Sequence, residues 1–144
     1  MAQRVELDAG LLLLRIGYAA LLIGFHGWTR FFRALSYVQG NAWTFVGVVD
    51  RLGLPFPGVF AVLSALSESV AVLFVLAGLY TRWAALIITI NFVVAFISEA
   101  AKGDPYELPG LYLLGAVVLM LTGPGRFALD SRRRRSAGAR RAAA

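Results

Sequence analysis

The stretch SALSESVAVLFVL, from Ser64 to Leu76, decides the fold because it places a carboxylate, Glu68, inside a run otherwise suited to hydrocarbon. A membrane core of about 30 Å is crossed by roughly 20 apolar helical residues. The stretch and its flanks supply that length from about residue 58 to residue 80. An ionised side chain near the bilayer centre costs roughly 2.5 to 3.5 kcal/mol on insertion scales. We therefore expect Glu68 to have a partner inside a helical membrane protein.

The composition of the whole chain is that of a membrane protein. Of its 144 residues 59% are hydrophobic and only 15% are charged, and the mean hydropathy is +0.73. A soluble domain of this length would need more polar surface to cover one core. The chain has no cysteine, which excludes disulfides, thiolate nucleophiles and cysteine-ligated iron–sulfur clusters. No intrinsic cofactor is expected, so any redox function would use a borrowed one.

Four apolar stretches have the length and character of membrane spans. The predicted spans are residues 9–31, 58–80, 83–100 and 108–123. They lack the two-residue alternation of barrel strands, and lipid requires every backbone polar group to be satisfied internally. The sequence therefore predicts an all-α fold, a four-transmembrane-helix bundle over residues 1–130. A basic tail follows at residues 131–144 and is expected to be disordered.

The distribution of basic residues predicts the orientation in the membrane. With four spans both termini lie on one side, so the loops form two sets. The set that includes the termini holds nine arginines, among them the RRRR run, and the opposite set holds Arg30, Arg33, Arg51 and Lys102. By the positive-inside rule both termini are cytoplasmic. We expect a multi-pass protein of a bacterial cytoplasmic (inner) membrane.

The segments outside the spans are predicted to meet the membrane surface. The long first loop lies on the external side, and its aromatic residues suit an interfacial segment: Trp28, Tyr37, Trp43 and Phe45. The basic tail beside a membrane indicates anionic lipid as its partner and argues against nucleic acid. The sequence leaves the oligomeric state open, and a homo-oligomer is one of the states it allows.

Two polar residues of the first span are candidates to face Glu68. Arg15 and His26 are eleven residues apart, close to three helical turns, so they are expected to share one helix face. That face would present a cation on the cytoplasmic side of Glu68 and an imidazole on the other side. Three interpretations of Arg15 stay open: a structural ion pair with Glu68, part of a proton or ligand site, or snorkelling to the surface.

Polar residues of the third and fourth spans could complete a site. Asn91 and Glu99 belong to a partly polar stripe of the third span that should point inward. Glu107 begins the fourth span on the same side, so His26, Glu99 and Glu107 could surround a shallow external pocket. One imidazole and two carboxylates could hold a divalent metal, but the spacing has no specificity, and no metal site is predicted. No phosphate-binding glycine loop or nucleophile motif is present, so no catalytic residue is assigned.

Three motifs relate the chain to a known family. They are LLLLRIGYAALLIGFHGWTRFF in the first span, SESVAVLFVLAGLYTRWAAL across the second span and the following turn, and TGPGRFALD after the fourth. On these motifs the chain resembles the DoxX family of small four-helix membrane proteins. The matching positions are Arg15, His26, Gly27, Glu68, Gly78, Thr81 and Arg82. The chain departs from the family pattern in having Arg30 where a lysine is expected after the His-Gly pair.

The last motif is expected at the cytoplasmic face. Its matching residues are Gly123, Pro124, Gly125, Arg126 and Asp130. Proline and glycine would end the fourth helix there. The arginine side chains at this face, Arg82 included, would meet lipid phosphates or the last helical carbonyls.

The resemblance also implies a function. Some relatives are associated with thiosulfate oxidation coupled to quinone reduction, and others with membrane complexes that handle sulfur or oxidative stress. The implied function is a membrane subunit that binds a quinone or another small ligand and serves a redox partner protein, at most as one subunit of a quinone-linked oxidoreductase. Arg15, His26 and Glu68 are its candidate ligand residues. Two alternatives stay open: a non-catalytic anchor or assembly factor for a partner complex, and a carrier of a small solute or protons.

Overall fold

The computed structural model describes residues 2–131, and this part of the chain is helical and contains no β-strand. The elements in chain order are α1 (Ala2–Leu22), a first π turn (Ile23–Gly27), α2 (Trp28–Val38), α3 (Thr44–Asp50), α4 (Pro57–Leu66), a second π turn (Ser67–Ala71), α5 (Val72–Ala77), α6 (Thr81–Lys102) and α7 (Glu107–Thr122). The predicted all-α class is confirmed. Apart from Ser131, the predicted basic tail lies outside the described residues.

Among residues 2–131, three helical segments are long and apolar enough to cross a membrane. They are Val5–Val38, Pro57–Ala77 and Thr81–Lys102, with mean hydropathies of 1.7, 2.3 and 2.0. They correspond to the first three predicted spans. The fourth predicted span falls in α7, which is apolar but has only 16 residues. The first segment continues well past its predicted end at residue 31, because no glycine or proline interrupts it between Gly27 and Gly40.

Left-handed glycines set two of the helix ends. Gly78 follows α5 with φ +68°, and Gly103 follows α6 with φ +74°. Glycine adopts this conformation without the steric cost that a side chain brings, so a helix readily ends there. The second span therefore ends at Ala77, three residues before the predicted boundary, and the third span reaches Lys102.

The larger core lies where α1, α5, α6 and α7 pack together. Its fully buried large side chains include Leu22, Val72, Val75, Ile88 and Leu119. Small residues from three helices, Ala19, Ala85 and Ala116, are also fully buried. Lipid offers no hydrophobic driving force between apolar helices, so close packing permitted by small residues is what holds them together.

A second, smaller core lies between α2, α3 and α4. Its buried members are Ala34, Trp43, Val49, Ala61 and Ala65. The first loop is therefore not only a surface segment: Trp43, expected at the membrane interface, is only 7% exposed and packs inside the protein. The indole belongs to the same buried cluster as Ala61 and Ala65, the small residues of α4.

Candidate functional site

Arg15 lies at a junction of three elements and does not contact Glu68. Its Nε donates to the carbonyl of Val75 at 2.9 Å, Nη2 to that of Leu76 at 2.7 Å, and Nη1 to that of Pro124 at 2.8 Å. Helix α5 ends at Ala77, so its last carbonyls lack the partner four residues on that a continuing helix provides, and the guanidinium donates to two of them. The carbonyl of Val75 also accepts from the backbone N–H of Gly78 at 3.0 Å. Of the three interpretations left open for Arg15, the ion pair with Glu68 is therefore wrong. Snorkelling is also wrong, since Arg15 is only 2% exposed.

The segment after α7 completes this end of the molecule. The Asp130 carboxylate accepts hydrogen bonds from the backbone N–H groups of Tyr80 at 3.1 Å and Thr81 at 3.2 Å. It thereby caps the first turn of α6, where four N–H groups lack helical partners. The backbone N–H of Asp130 donates to the carbonyl of Gly78 at 3.0 Å. The TGPGRFALD motif thus has a structural explanation in holding the turn between α5 and α6.

The other residues of the motif lie beside this cap. Nη2 of Arg82 donates to the carbonyl of Leu121 at 3.4 Å, near the end of α7. Gly123 lies against the same arginine, since a Cβ there would be 3.0 Å from Arg82 Nε. The backbone N–H of Arg126 donates to Asp8 Oδ1 at 2.9 Å, which joins the segment to α1.

Replacing Asp130 by alanine is expected to destabilise the protein by about 1 kcal/mol, the usual cost of losing a helix cap. Amide hydrogen exchange at Tyr80 and Thr81 should speed up in the D130A variant. The control is Asp50→Ala, because Asp50 is exposed at the end of α3. Unchanged exchange at both amides would show that Asp130 does not cap α6.

The partner of Glu68 is Arg30. Glu68 Oε1 accepts a hydrogen bond from Arg30 Nη1 at 2.8 Å and another from Asn91 Nδ2 at 3.0 Å. The Glu68 side chain is 4% exposed, whereas the Arg30 side chain is 33% exposed. Asn91 therefore points from α6 to the buried carboxylate. Sequence analysis misses Arg30 as a partner of Glu68 because it lies at the external end of the predicted span, residues 9–31, and is counted with the loop charges.

The two π turns pack against each other beside the Arg30–Glu68 pair. Gly27, the last residue of the first turn, is buried, and a Cβ added to it would overlap the backbone carbonyl oxygen of Glu68 in the second turn. Only glycine allows this approach of the two backbones. The glycine of the His-Gly motif is thus explained by packing. A π turn is rare in helices and frequently marks a functional site.

A cleft of about 330 Å³ opens beside the first π turn. We call it the His26 cleft, and its lining residues are Phe25, His26, Thr29, Arg30, Arg33, Trp43, Thr44, Phe45 and Val48. Aromatic rings form much of its wall, and guanidinium, hydroxyl and imidazole groups supply hydrogen-bond donors. Within the part of the chain that the structure describes, no carboxylate lines the cleft. The cleft therefore combines an apolar slot with positive charge.

Arg30 belongs both to the cleft and to the Glu68 pair. Its guanidinium carbon lies 4.4 Å from the centre of the Phe45 ring, a cation–π contact. Its Nη1 also lies 3.4 Å from Ser64 Oγ. Arg30 thus connects the buried carboxylate to the space where a ligand would lie.

His26 lines the cleft, but the other two residues of the predicted pocket do not. Its ring meets Tyr112 edge to face, with 5.8 Å between ring centres. Glu99 instead pairs with Lys102 at 3.4 Å, and Glu107 is exposed at the start of α7. Between residues 2 and 131, no three His, Cys, Asp or Glu side chains converge as metal ligands would. The expectation that His26, Glu99 and Glu107 surround one pocket is wrong.

The family model named DoxX matches residues 10–99. The chain belongs to the DoxX family. The region of this DoxX-family chain that matches includes Arg15, the His26-Gly27 pair, Arg30 and Glu68, and thus both the charged pair and every lining residue of the cleft. No curated protein and no solved structure matches the chain.

Proposed function

We propose that the chain is a four-transmembrane-helix protein of a bacterial inner membrane with both termini in the cytoplasm. The start of α1, the end of α5, the start of α6 and the end of α7 are joined by hydrogen bonds at one end, as in an alternating helical bundle. At about 1.5 Å per residue α7 is about 24 Å long. A bilayer accommodates such a short helix by local thinning, at fractions of a kcal/mol per Å.

The pairing of Arg30 strengthens the argument for this orientation. The positive charge of Arg30 is paired with the buried carboxylate of Glu68, so Arg30 is left out of the number of basic residues in the external loops. The external set then keeps Arg33, Arg51 and Lys102, against nine arginines on the side of the termini. The positive-inside rule therefore favours cytoplasmic termini more strongly than the loop count alone.

Within this bundle, we propose, the His26 cleft binds a quinone-like small ligand, and the chain serves as a membrane subunit for a redox partner. The observation that supports this is the combination of aromatic walls and donor side chains in one cleft. Its volume lies at the lower end of ligand pockets, which run from about 300 to 1,000 Å³. A planar ring would lie against the Trp43 and Phe45 side chains, which contact each other in the cleft wall, while Thr29, Arg33 or His26 donates to a ring carbonyl.

The partner protein would deliver the electrons, since the chain has no cysteine with which to hold an iron–sulfur cluster. A bound quinone would accept them. The residues of this chain orient the ring and supply hydrogen bonds to its oxygens, while the bundle keeps the site beside the lipid in which such ligands dissolve. The exposed Phe25 at the cleft provides an apolar edge toward that lipid.

Menadione, a naphthoquinone, is expected to quench the fluorescence of Trp43 saturably in protein reconstituted into nanodiscs. Replacing Trp28 and Trp83 by phenylalanine leaves Trp43 as the remaining tryptophan, since the chain has three. The Val48→Phe variant should abolish saturable quenching because Val48 lines the cleft. Val38→Phe is the matched control, since Val38 is 70% exposed at the end of α2.

Equal quenching in the V48F and V38F variants would show that menadione binds elsewhere or merely dissolves in the lipid. That result would reject the cleft as the ligand site. It would favour the anchor or assembly-factor alternative, in which the helix surfaces hold a partner.

A further inference from the structure

The guanidinium of Arg30 takes part in two sites, the ion pair with Glu68 and the wall of the His26 cleft. Nη1 binds Glu68 Oε1, while the same side chain lines the His26 cleft over Phe45. Glu68 itself does not line the cleft, so Arg30 is the lining residue that hydrogen-bonds the buried carboxylate. A ligand group that binds Arg30 must therefore replace Glu68 or share the guanidinium with it.

The charges around the cleft favour an anion as that ligand group. Arg30 and Arg33 both line it, and none of the described residues that line it carries a carboxylate. Among the described residues the ion pairs are Arg30–Glu68 and Lys102–Glu99, so Arg33 brings a positive charge that no pair neutralises. An anionic oxygen accepts stronger hydrogen bonds from guanidinium groups than a neutral carbonyl does.

The groups around Glu68 determine its protonation once Arg30 turns away. The charged or titratable groups that face it are Arg30 from α2, His26 from the first π turn, Tyr18 from α1 and Tyr112 from α7, with the neutral Asn91 from α6. Without Arg30 no permanent cation remains in contact with the carboxylate. An unpaired buried charge is strongly destabilised, so the carboxylate would bind a proton.

We infer that the cleft takes a planar ring ligand that bears an anionic oxygen, and that its binding transfers Arg30 from Glu68 to the ligand while Glu68 takes up one proton. This inference rests on the proposed function of the cleft. The proton comes from the solvent, no covalent bond between heavy atoms changes, and the net charge of the occupied site equals that of the empty one. One ligand anion and one proton therefore enter together.

The test compares two naphthoquinones in isothermal titration calorimetry of the full chain in nanodiscs, with empty nanodiscs as the blank. Lawsone carries an anionic ring oxygen at neutral pH, whereas menadione has a methyl group at that position and is neutral. Titration in buffers with different ionisation enthalpies gives the number of protons bound per ligand. Wild-type protein should take up about one proton with lawsone and about none with menadione.

Three variants distinguish the transfer of Arg30 from a general attraction between the positively charged cleft and an anion. In Glu68→Gln the competing carboxylate is gone, so lawsone should bind about tenfold more tightly and without proton uptake. Arg33 lines the same cleft but does not contact Glu68. The Arg33→Gln variant should therefore bind lawsone more weakly while still taking up one proton. The double variant R30Q/E68Q leaves no unpaired buried charge and should bind lawsone at least about tenfold more weakly than E68Q, with little effect on menadione.

The possible results distinguish the two proposals. Lawsone binding to wild-type protein with the same proton count as in E68Q would overturn the Arg30 transfer while leaving the cleft as a quinone site. Equal lawsone affinity of E68Q and R30Q/E68Q would overturn it as well. If neither naphthoquinone binds above the blank, the proposed function fails and this inference fails with it.

Discussion

Replacing Arg15 by methionine is expected to lower the free energy of unfolding by about 4 kcal/mol or more. Arg15 donates three hydrogen bonds of 2.7 to 2.9 Å from a fully buried position. Hydrogen bonds that involve a charged group are each worth about 1.5 to 3 kcal/mol. Methionine fills much of the volume but leaves three carbonyl oxygens without this donor, those of Val75, Leu76 and Pro124.

The measurement is an SDS titration from mild-detergent micelles, followed by tryptophan fluorescence. Arg126→Met is the matched control, because that arginine is exposed and contributes its backbone N–H to the contact with Asp8. The control should change stability by less than about 0.5 kcal/mol. If R15M proves as stable as R126M, Arg15 does not hold this junction together.

The second large effect is expected at Gly27, where alanine should cost about 2 to 3 kcal/mol or more. The added Cβ would overlap the backbone oxygen of Glu68, and a backbone cannot move aside as a flexible side chain can. Helix propensity alone predicts the opposite sign, since alanine in place of glycine stabilises a helix by about 0.5 to 1 kcal/mol.

Gly24 supplies the matched control for this prediction. It lies in the same π turn, and a Cβ added there meets nothing within 4 Å. The Gly24→Ala variant should therefore be as stable as wild type or slightly more stable, measured by the same SDS titration. Equal behaviour of the G24A and G27A variants would contradict the close approach of the two π turns.

Much of the helical architecture follows from composition and span length. The all-α class and the first three apolar segments are predictable because apolar runs of about 20 residues have one stable backbone solution in lipid. The ends of these segments are less predictable. Helix limits depend on individual turns such as the left-handed Gly78, which hydropathy does not detect.

The residues of the candidate site are harder to predict than the fold. The sequence offers Arg15 as a partner of Glu68 and counts Arg30 with the external loop charges. In the structure Arg15 binds backbone carbonyls, and Arg30 binds Glu68. Counting residues along one helix gives the depth of a side chain in the membrane. It does not show which neighbouring helix ends nearby with carbonyls that need a donor. The departure at Arg30 from the expected lysine is the available signal, since it marks a basic residue beside the His-Gly pair.

Helical periodicity also fails across the first π turn. On a regular α-helix, Arg15 and Gly27 would point about 120° apart, at about 100° per residue. A π turn contains one inserted residue, which reduces the separation to about 20°. Both residues are in fact buried. A sequence pattern cannot place such an insertion, so the partners of residues beyond it cannot be assigned by counting turns.

The hydrogen bond between Arg15 and Pro124 also bears on biosynthesis. The two residues are 109 positions apart, and Asp8 and Arg126 are 118 apart. At about 5 to 20 residues per second, a ribosome needs roughly 5 to 20 s to pass from one partner to the other. Arg15 thus leaves the ribosome well before Pro124, so its hydrogen bond to Pro124 forms only after the segment that follows α7 has been translated. We expect the nascent chain to stay sensitive to membrane proteases over this interval and to become resistant once the TGPGRFALD segment has emerged.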